Sequence, residues 1–190
     1  MGLKLITAPV SEPVSLAEAK MHLRVESDFT DDDALISALI VSARQSAEHL
    51  TGRAIMPQIL ELALDEFQDE ISLPRPPMAS ITSVKYIDQD GALQTLGTDA
   101  YLLDDHSEPS RIVPAYGTSW PAARNQSNAV LIRYVAGYAD AEDVPQEIKS
   151  WMLLRIGMLY ESRESAVQGA PIAELPYVDR LLDSYRIWRV

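Results

Sequence analysis

The sequence predicts an α+β fold: a mainly helical domain, its N-terminal and C-terminal helices packed together, with an antiparallel β region inserted between them. Three observations carry this expectation. Apolar residues recur at spacings of three and four near both ends of the chain, they alternate with period two in the middle, and Gly, Pro, Asn and Ser punctuate that middle part. Helices, then strands, then helices is the order of an α+β domain rather than of a parallel α/β sheet.

Ser15-Leu16-Ala17-Glu18 opens the first helix, because a serine N-cap and a glutamate three residues on can each satisfy an orphan N–H of the other's turn. That helix is expected to reach about Leu23. A second start lies between Thr30 and Asp33, where carboxylates sit in the positive first turn of the helix dipole. Leu35, Ile36, Leu39, Ile40, Ala43, Ala47 and Leu50 then recur at three and four, and Gly52 supplies the stop. The helix is about 30 Å long at 1.5 Å per residue.

Beyond Pro57 the period changes. Leu60, Leu62 and Leu64 alternate with Glu61 and Ala63, the pattern of a strand with one buried face. The run Leu73-Pro74-Arg75-Pro76-Pro77 interrupts it, residues 81–87 form a second strand, and Asp90-Gly91 marks a hairpin turn that wants positive φ. Residues 101–103, 111–113 and 130–135 are further short strands.

Past Gly137 the helical period returns. Pro145 suits a first helical position, where its missing N–H would be unpaired anyway, and Ile148, Trp151, Met152, Leu154, Ile156, Met158, Leu159 and Tyr160 follow. A last helix is expected from about Glu174 to Leu182, behind Pro171. The organisation expected is one domain over 1–190, with N-terminal helices in 1–56, the β-rich insertion in 57–138, and C-terminal helices and tail in 139–190.

Composition excludes several classes of function. A net charge of −12 repels phosphate backbones, so a sequence-reading DNA binder, which needs a basic stripe, is not expected. An acidic wall does suit a conduit through which DNA slides without sticking. With no cysteine there is no disulfide framework, thiolate metal site or cysteine nucleophile. The apolar stretches 34–41 and 151–160 fall short of the ~20 residues that cross a bilayer, and the first seven residues are too brief for a signal-peptide core. A cytoplasmic protein with no membrane association is expected.

Chemistry-bearing patterns are scarce. His22, His49 and His106 stand far apart, with no helical pairing to another metal ligand. The carboxylate groups Asp31-Asp32-Asp33, Asp104-Asp105 and Asp140 with Glu142-Asp143 are explained by the helix dipole and by loop solvation. Gly117-Thr118-Ser119-Trp120 lacks the second glycine of a nucleophile elbow, and Pro121 follows too soon for a helix. No glycine-rich nucleotide loop occurs. No catalytic residue, cofactor or metal is therefore assigned, and the competing enzyme reading is a small metal-dependent hydrolase or nuclease built on Asp104, Asp105 and His106.

Surfaces carry the positive expectation. Residues 151–160 are bulky and apolar nearly all round a helix, whereas a helix lying on one domain needs only a stripe. Either its second face meets another copy of the chain, or it is sandwiched within its own domain. The candidate subunit interface comprises Leu35, Ile36, Leu39, Trp151, Met158 and Tyr160. Large apolar residues near the chain end, Tyr185, Ile187 and Trp188, form a candidate docking tail; the alternative is that they fold back onto the core.

The order and spacing of several pieces resemble one family. Pro13-Val14-Ser15-Leu16-Ala17-Glu18-Ala19-Lys20, His22-Leu23-Arg24-Val25, Asp31-Asp32-Asp33-Ala34-Leu35-Ile36 and Thr51-Gly52-Arg53 come first. Leu73-Pro74-Arg75-Pro76-Pro77, the loop Pro114-Ala115-Tyr116-Gly117-Thr118-Ser119-Trp120-Pro121, Tyr134-Val135-Ala136-Gly137-Tyr138 and Val144-Pro145 follow. Together they are similar to the head-tail connector (adaptor) proteins of tailed bacteriophages and prophages. The resemblance implies a helical fold with a β insertion and a ring of about a dozen copies. It implies as partners the portal protein, a tail-completion or stopper protein, and DNA passing unbound through the channel; Tyr185, Ile187 and Trp188, chosen on their apolar character, are the candidate portal-docking tail, and another virion ring or tail-completion protein is the alternative within the same class. It brings no catalytic residue.

Overall fold

A computed structural model describes residues 1–161 and 176–187. The chain folds as two compact units, one made of Met1–Val10 with Met56–Ala139 and the other of Ser11–Ile55 with Asp140–Val190.

The first unit holds eight strands: β1 Gly2–Thr7, β2 Gln58–Leu64, β3 Ile71–Ser72, β4 Met78–Ile87, β5 Leu93–Leu96, β6 Tyr101–Asp104, β7 Arg111–Pro114 and β8 Val130–Ala136. They make two antiparallel sheets, of order β1-β2-β8-β4-β5 and β3-β7-β6. Alternation decides which face is buried. The register sets Leu60 opposite Tyr134, Leu62 opposite Ile132 and Leu64 opposite Val130, so the apolar side chains of β2 and β8 share one face. Val84 of β4 joins them opposite Ile132. Two register shifts in β4, at Met78/Ser80 and Ile81/Ser83, interrupt its alternation.

Turn chemistry follows the residues. Gly91 takes φ 89° between β4 and β5, and the Asp88 carboxylate accepts from the backbone N–H groups of Asp90 and Ala92. At Gly137, φ 121°, an added Cβ would lie 2.3 Å from the Met56 carbonyl oxygen, so no larger residue fits.

The second unit is helical. In α1, Leu16–Leu23, the Ser15 and Glu18 side chains complete the expected reciprocal cap. Helix α2, Asp33–Thr51, ends where Gly52 at φ 73° donates its N–H to the Glu48 carbonyl. Helix α3 is Gln146–Glu161; Pro145 stands just before it and lends its carbonyl to Ile148 and Lys149. A short α4, Pro176–Asp179, continues as a 3-10 helix over Arg180–Tyr185. The expected start of this last element near Glu174 lies outside the described residues.

Two buried cations of this unit, Lys20 and Arg44, are paired. Lys20 forms an ion pair with Asp33 and donates to the Phe29 carbonyl at 2.7 Å, tying α1 to the start of α2. Arg44 bridges Glu12 at 2.7 Å and Glu48 at 3.1 Å, and Glu48 accepts from the Ile55 N–H at 2.9 Å.

One expectation is corrected. The fold is α+β, but it is not mainly helical: among the described residues the strands hold nearly as many residues as the α-helices. The physical reason is that edge strands need no buried alternation. β1 lies at a sheet edge with all but one residue exposed, and β3 and β5 are too short to show a period. Backbone pairing to longer neighbours makes them strands.

Candidate assembly surfaces

Helices α2 and α3 run antiparallel. The Tyr160 hydroxyl donates to the Asp32 carboxylate at one end of the pair, while Trp151 and Arg155 line a pocket with residues of the later half of α2. Of the six candidate interface residues, Ile36 and Trp151 are buried at 0% and 2% exposure. Trp151 is enclosed by its own chain, and its Nε1 donates to Asp179 at 2.9 Å. Leu35 is exposed, and Leu39, Met158 and Tyr160 are half-buried. Leu154, at 44%, is the exposed apolar residue of α3.

The period of α2 sorts these residues. Ile36, Ile40, Ala43 and Ala47 point inward, while Leu35, Leu39, Ser42, Ser46 and His49 recur on one outward stripe. That stripe is apolar at its start and polar at its end. Met158 lies three residues beyond Arg155, on the same flank of α3.

The tail residues are tied to their own unit. The Ile187 N–H donates to the Thr51 carbonyl at 2.8 Å, Arg53 Nε donates to the Tyr185 carbonyl at 2.6 Å, and the Tyr185 hydroxyl donates to Glu147 at 2.9 Å. Ile187 also packs over Gly52, 3.5 Å from where a Cβ would stand. Trp188 lies outside the described residues.

The acidic loop does not gather into a centre. Asp104 accepts from Arg111 Nε at 2.8 Å and from the Ser107 hydroxyl at 2.7 Å. The Arg111 guanidinium, then that hydroxyl, hold its carboxyl well below the usual carboxylate range. Arg111 also reaches Glu70 at 2.8 Å, so this is a charge cluster that pins β6 to β7. Asp105 and His106 are solvent-exposed, 4.0 Å apart. Among the described residues no group of three His, Cys, Asp or Glu side chains is placed to hold a metal ion, and no helix is long and apolar enough to cross a membrane.

The first unit presents apolar surface that pattern analysis missed. Leu3 and Leu5 of β1 sit opposite Leu62 and Leu60, extending the sheet's apolar face to the edge, where they are 39% and 49% exposed. Their spacing of two was the available signal. Leu102, Leu103 and the fully exposed Tyr116 add to it. The loop after β7 is clamped: Trp120 stacks on Phe67 at 4.9 Å and donates to the Gln68 carbonyl at 2.7 Å.

Residues 13–93 match the family of phage gp6-like head-tail connector proteins. No curated protein matches the sequence. Solved structures with this fold include a chain from the neck of an empty GTA particle computed with C6 symmetry. It is 25% identical, with TM-score 0.82, and the match covers 100% of this chain and 97% of that one. A chain from the virion of a native gene transfer agent (GTA) particle is 24% identical, with TM-score 0.80 and the same coverage. A third, from the neck of a native GTA particle computed with C12 symmetry, is 23% identical, with TM-score 0.78 and again the same coverage. Over residues 13–93 the sequence is thus similar to phage gp6-like head-tail connector proteins, and along its whole length the chain shares its fold with chains of gene transfer agent particles, which together support a structural, connector-type role in virion assembly.

Proposed function

We propose that the protein forms a cyclic ring in the neck of a phage or phage-like particle, between the portal and the stopper or tail-completion protein. It catalyses nothing. It is made in the bacterial cytoplasm, joins the virion, and leaves DNA free to pass through its channel. The observation that carries this reading is the match of the entire chain to a chain from a particle neck computed with cyclic symmetry.

A closed ring uses two different faces of each subunit. The outward seam of α2 and α3, with Leu35, Leu39, Met158 and Tyr160, supplies one. The apolar edge of β1, with Leu3 and Leu5, supplies the other. A net charge of −12 keeps the lumen from gripping the phosphate backbone. Portal docking by the tail needs Tyr185 and Ile187 to leave Arg53 and Thr51, or uses Trp188 alone.

Deleting the gene from the parent particle tests the assignment. The expected result is DNA-filled heads without tails, restored by the gene in trans. Normally tailed particles would remove it.

A further inference from the structure

We infer that the seam between α2 and α3 carries a receptor for a carboxylate, presented by an acidic segment of a partner polypeptide. Ser42, Ser46 and His49 on α2 and Trp151 and Arg155 on α3 line an open pocket of about 440 Å³. Its walls lie wholly in the helical unit.

The cation is the unusual element. In this acidic chain Arg44 is taken up by Glu12 and Glu48, Arg111 by Glu70 and Asp104, Arg133 by Glu61 and Lys20 by Asp33. Arg155 differs. It is half-buried, makes no hydrogen bond or ion pair with any described residue, and keeps its Nε out of solvent with no acceptor. Asp179 also lines the pocket, but its carboxylate accepts from Trp151 and is not within ion-pair reach of Arg155.

A guanidinium drawn partly out of water without an acceptor is costly, and a carboxylate that presents two oxygens to its fork removes that cost. Ser42, Ser46 and His49 likewise make no hydrogen bond with described residues, which leaves polar groups for the ligand's neighbouring backbone. Phosphate is the other common anion. One arginine in a chain of net charge −12 is not the basic stripe that DNA requires. Leu50 on the pocket wall, with Leu35, Leu39 and Met158 further along the seam, suits a peptide with apolar residues beside its acid.

The test titrates the isotope-labelled full chain with hexaglutamate, hexaglutamine and single-stranded oligothymidine, followed by amide and arginine Nε–H resonances. Saturable shifts at residues 42–50 and at Arg155 Nε–H are expected with hexaglutamate and not with hexaglutamine. Arg155→Gln is expected to weaken binding about tenfold, the effect of losing a charged hydrogen bond. Arg155→Lys keeps the charge without the fork and retains part of the affinity. Ser42→Leu, on the exposed wall, blocks the pocket without touching the arginine and produces the same loss. Unperturbed affinity in folded Arg155→Gln, or shifts that avoid this seam, would overturn the site. Saturation by oligothymidine in place of hexaglutamate would overturn the peptide assignment.

Discussion

Trp151 and Asp179 hold each other: the indole Nε1 donates to the carboxylate at 2.9 Å, and the ring is 2% exposed. This pair ties α3 to the short helix near the chain end. A large apolar residue that looked like an interface anchor is therefore an internal strut. Trp151→Ala is expected to cost about 3–5 kcal/mol, the range for emptying a buried aromatic site. Trp151→Phe, which keeps most of the volume, costs about 1–3 kcal/mol by leaving Asp179 unpaired. Urea denaturation of each variant measures both.

The exposed residues of the same seam behave oppositely. Leu35→Asp and Met158→Asp are expected to leave the free protein's stability within about 0.5 kcal/mol for the exposed site and about 2 kcal/mol for the half-covered one. Both are expected to reduce ring formation on the portal. Thermal melting of the free protein, alongside copurification with the portal, separates the two effects.

Tyr134 is the polar handle of the sheet core. Its hydroxyl donates to the Pro74 carbonyl at 2.6 Å, and burial pushes the phenol's pKa up. Tyr134→Phe leaves that carbonyl without its donor and is expected to cost about 1–3 kcal/mol. Chemical denaturation monitored by circular dichroism checks it.

Acid sensitivity has a defined sign at Asp104. Its folded-state pKa is depressed, by Arg111 first and Ser107 next. It therefore adds stability above the ordinary aspartate pKa of about 3.9, and that contribution is lost as pH falls through the depressed value. Compared with Asp104→Asn, the native protein should hold a constant advantage above about pH 5 that shrinks as the solution becomes more acid. Denaturation midpoints at a series of pH values give the comparison.

Much of this architecture was legible where a side chain's fate is decided locally. Ser15 and Glu18 are a cap by chemistry alone, Gly52 ends α2, and Leu60, Leu62 and Leu64 alternate because one face of β2 is buried. The edge strand β1 was missed although Leu3 and Leu5 stand two apart, because its partner β2 is remote in sequence and most of its own residues remain in solvent. Periodicity marked α3 as apolar, but it could not say what covers Trp151, which depends on where Asp179 comes to rest. Arg155 went unnoticed for the same reason: an unpaired guanidinium is visible only once its neighbours are placed.

Electron microscopy of the purified protein mixed with the portal of its own particle tests the central claim most directly. A closed ring of this chain, seated on the tail-facing end of the portal with an open channel on its axis, is the predicted image. Portals that stay bare, or that carry single unarranged copies at saturating protein, would contradict it.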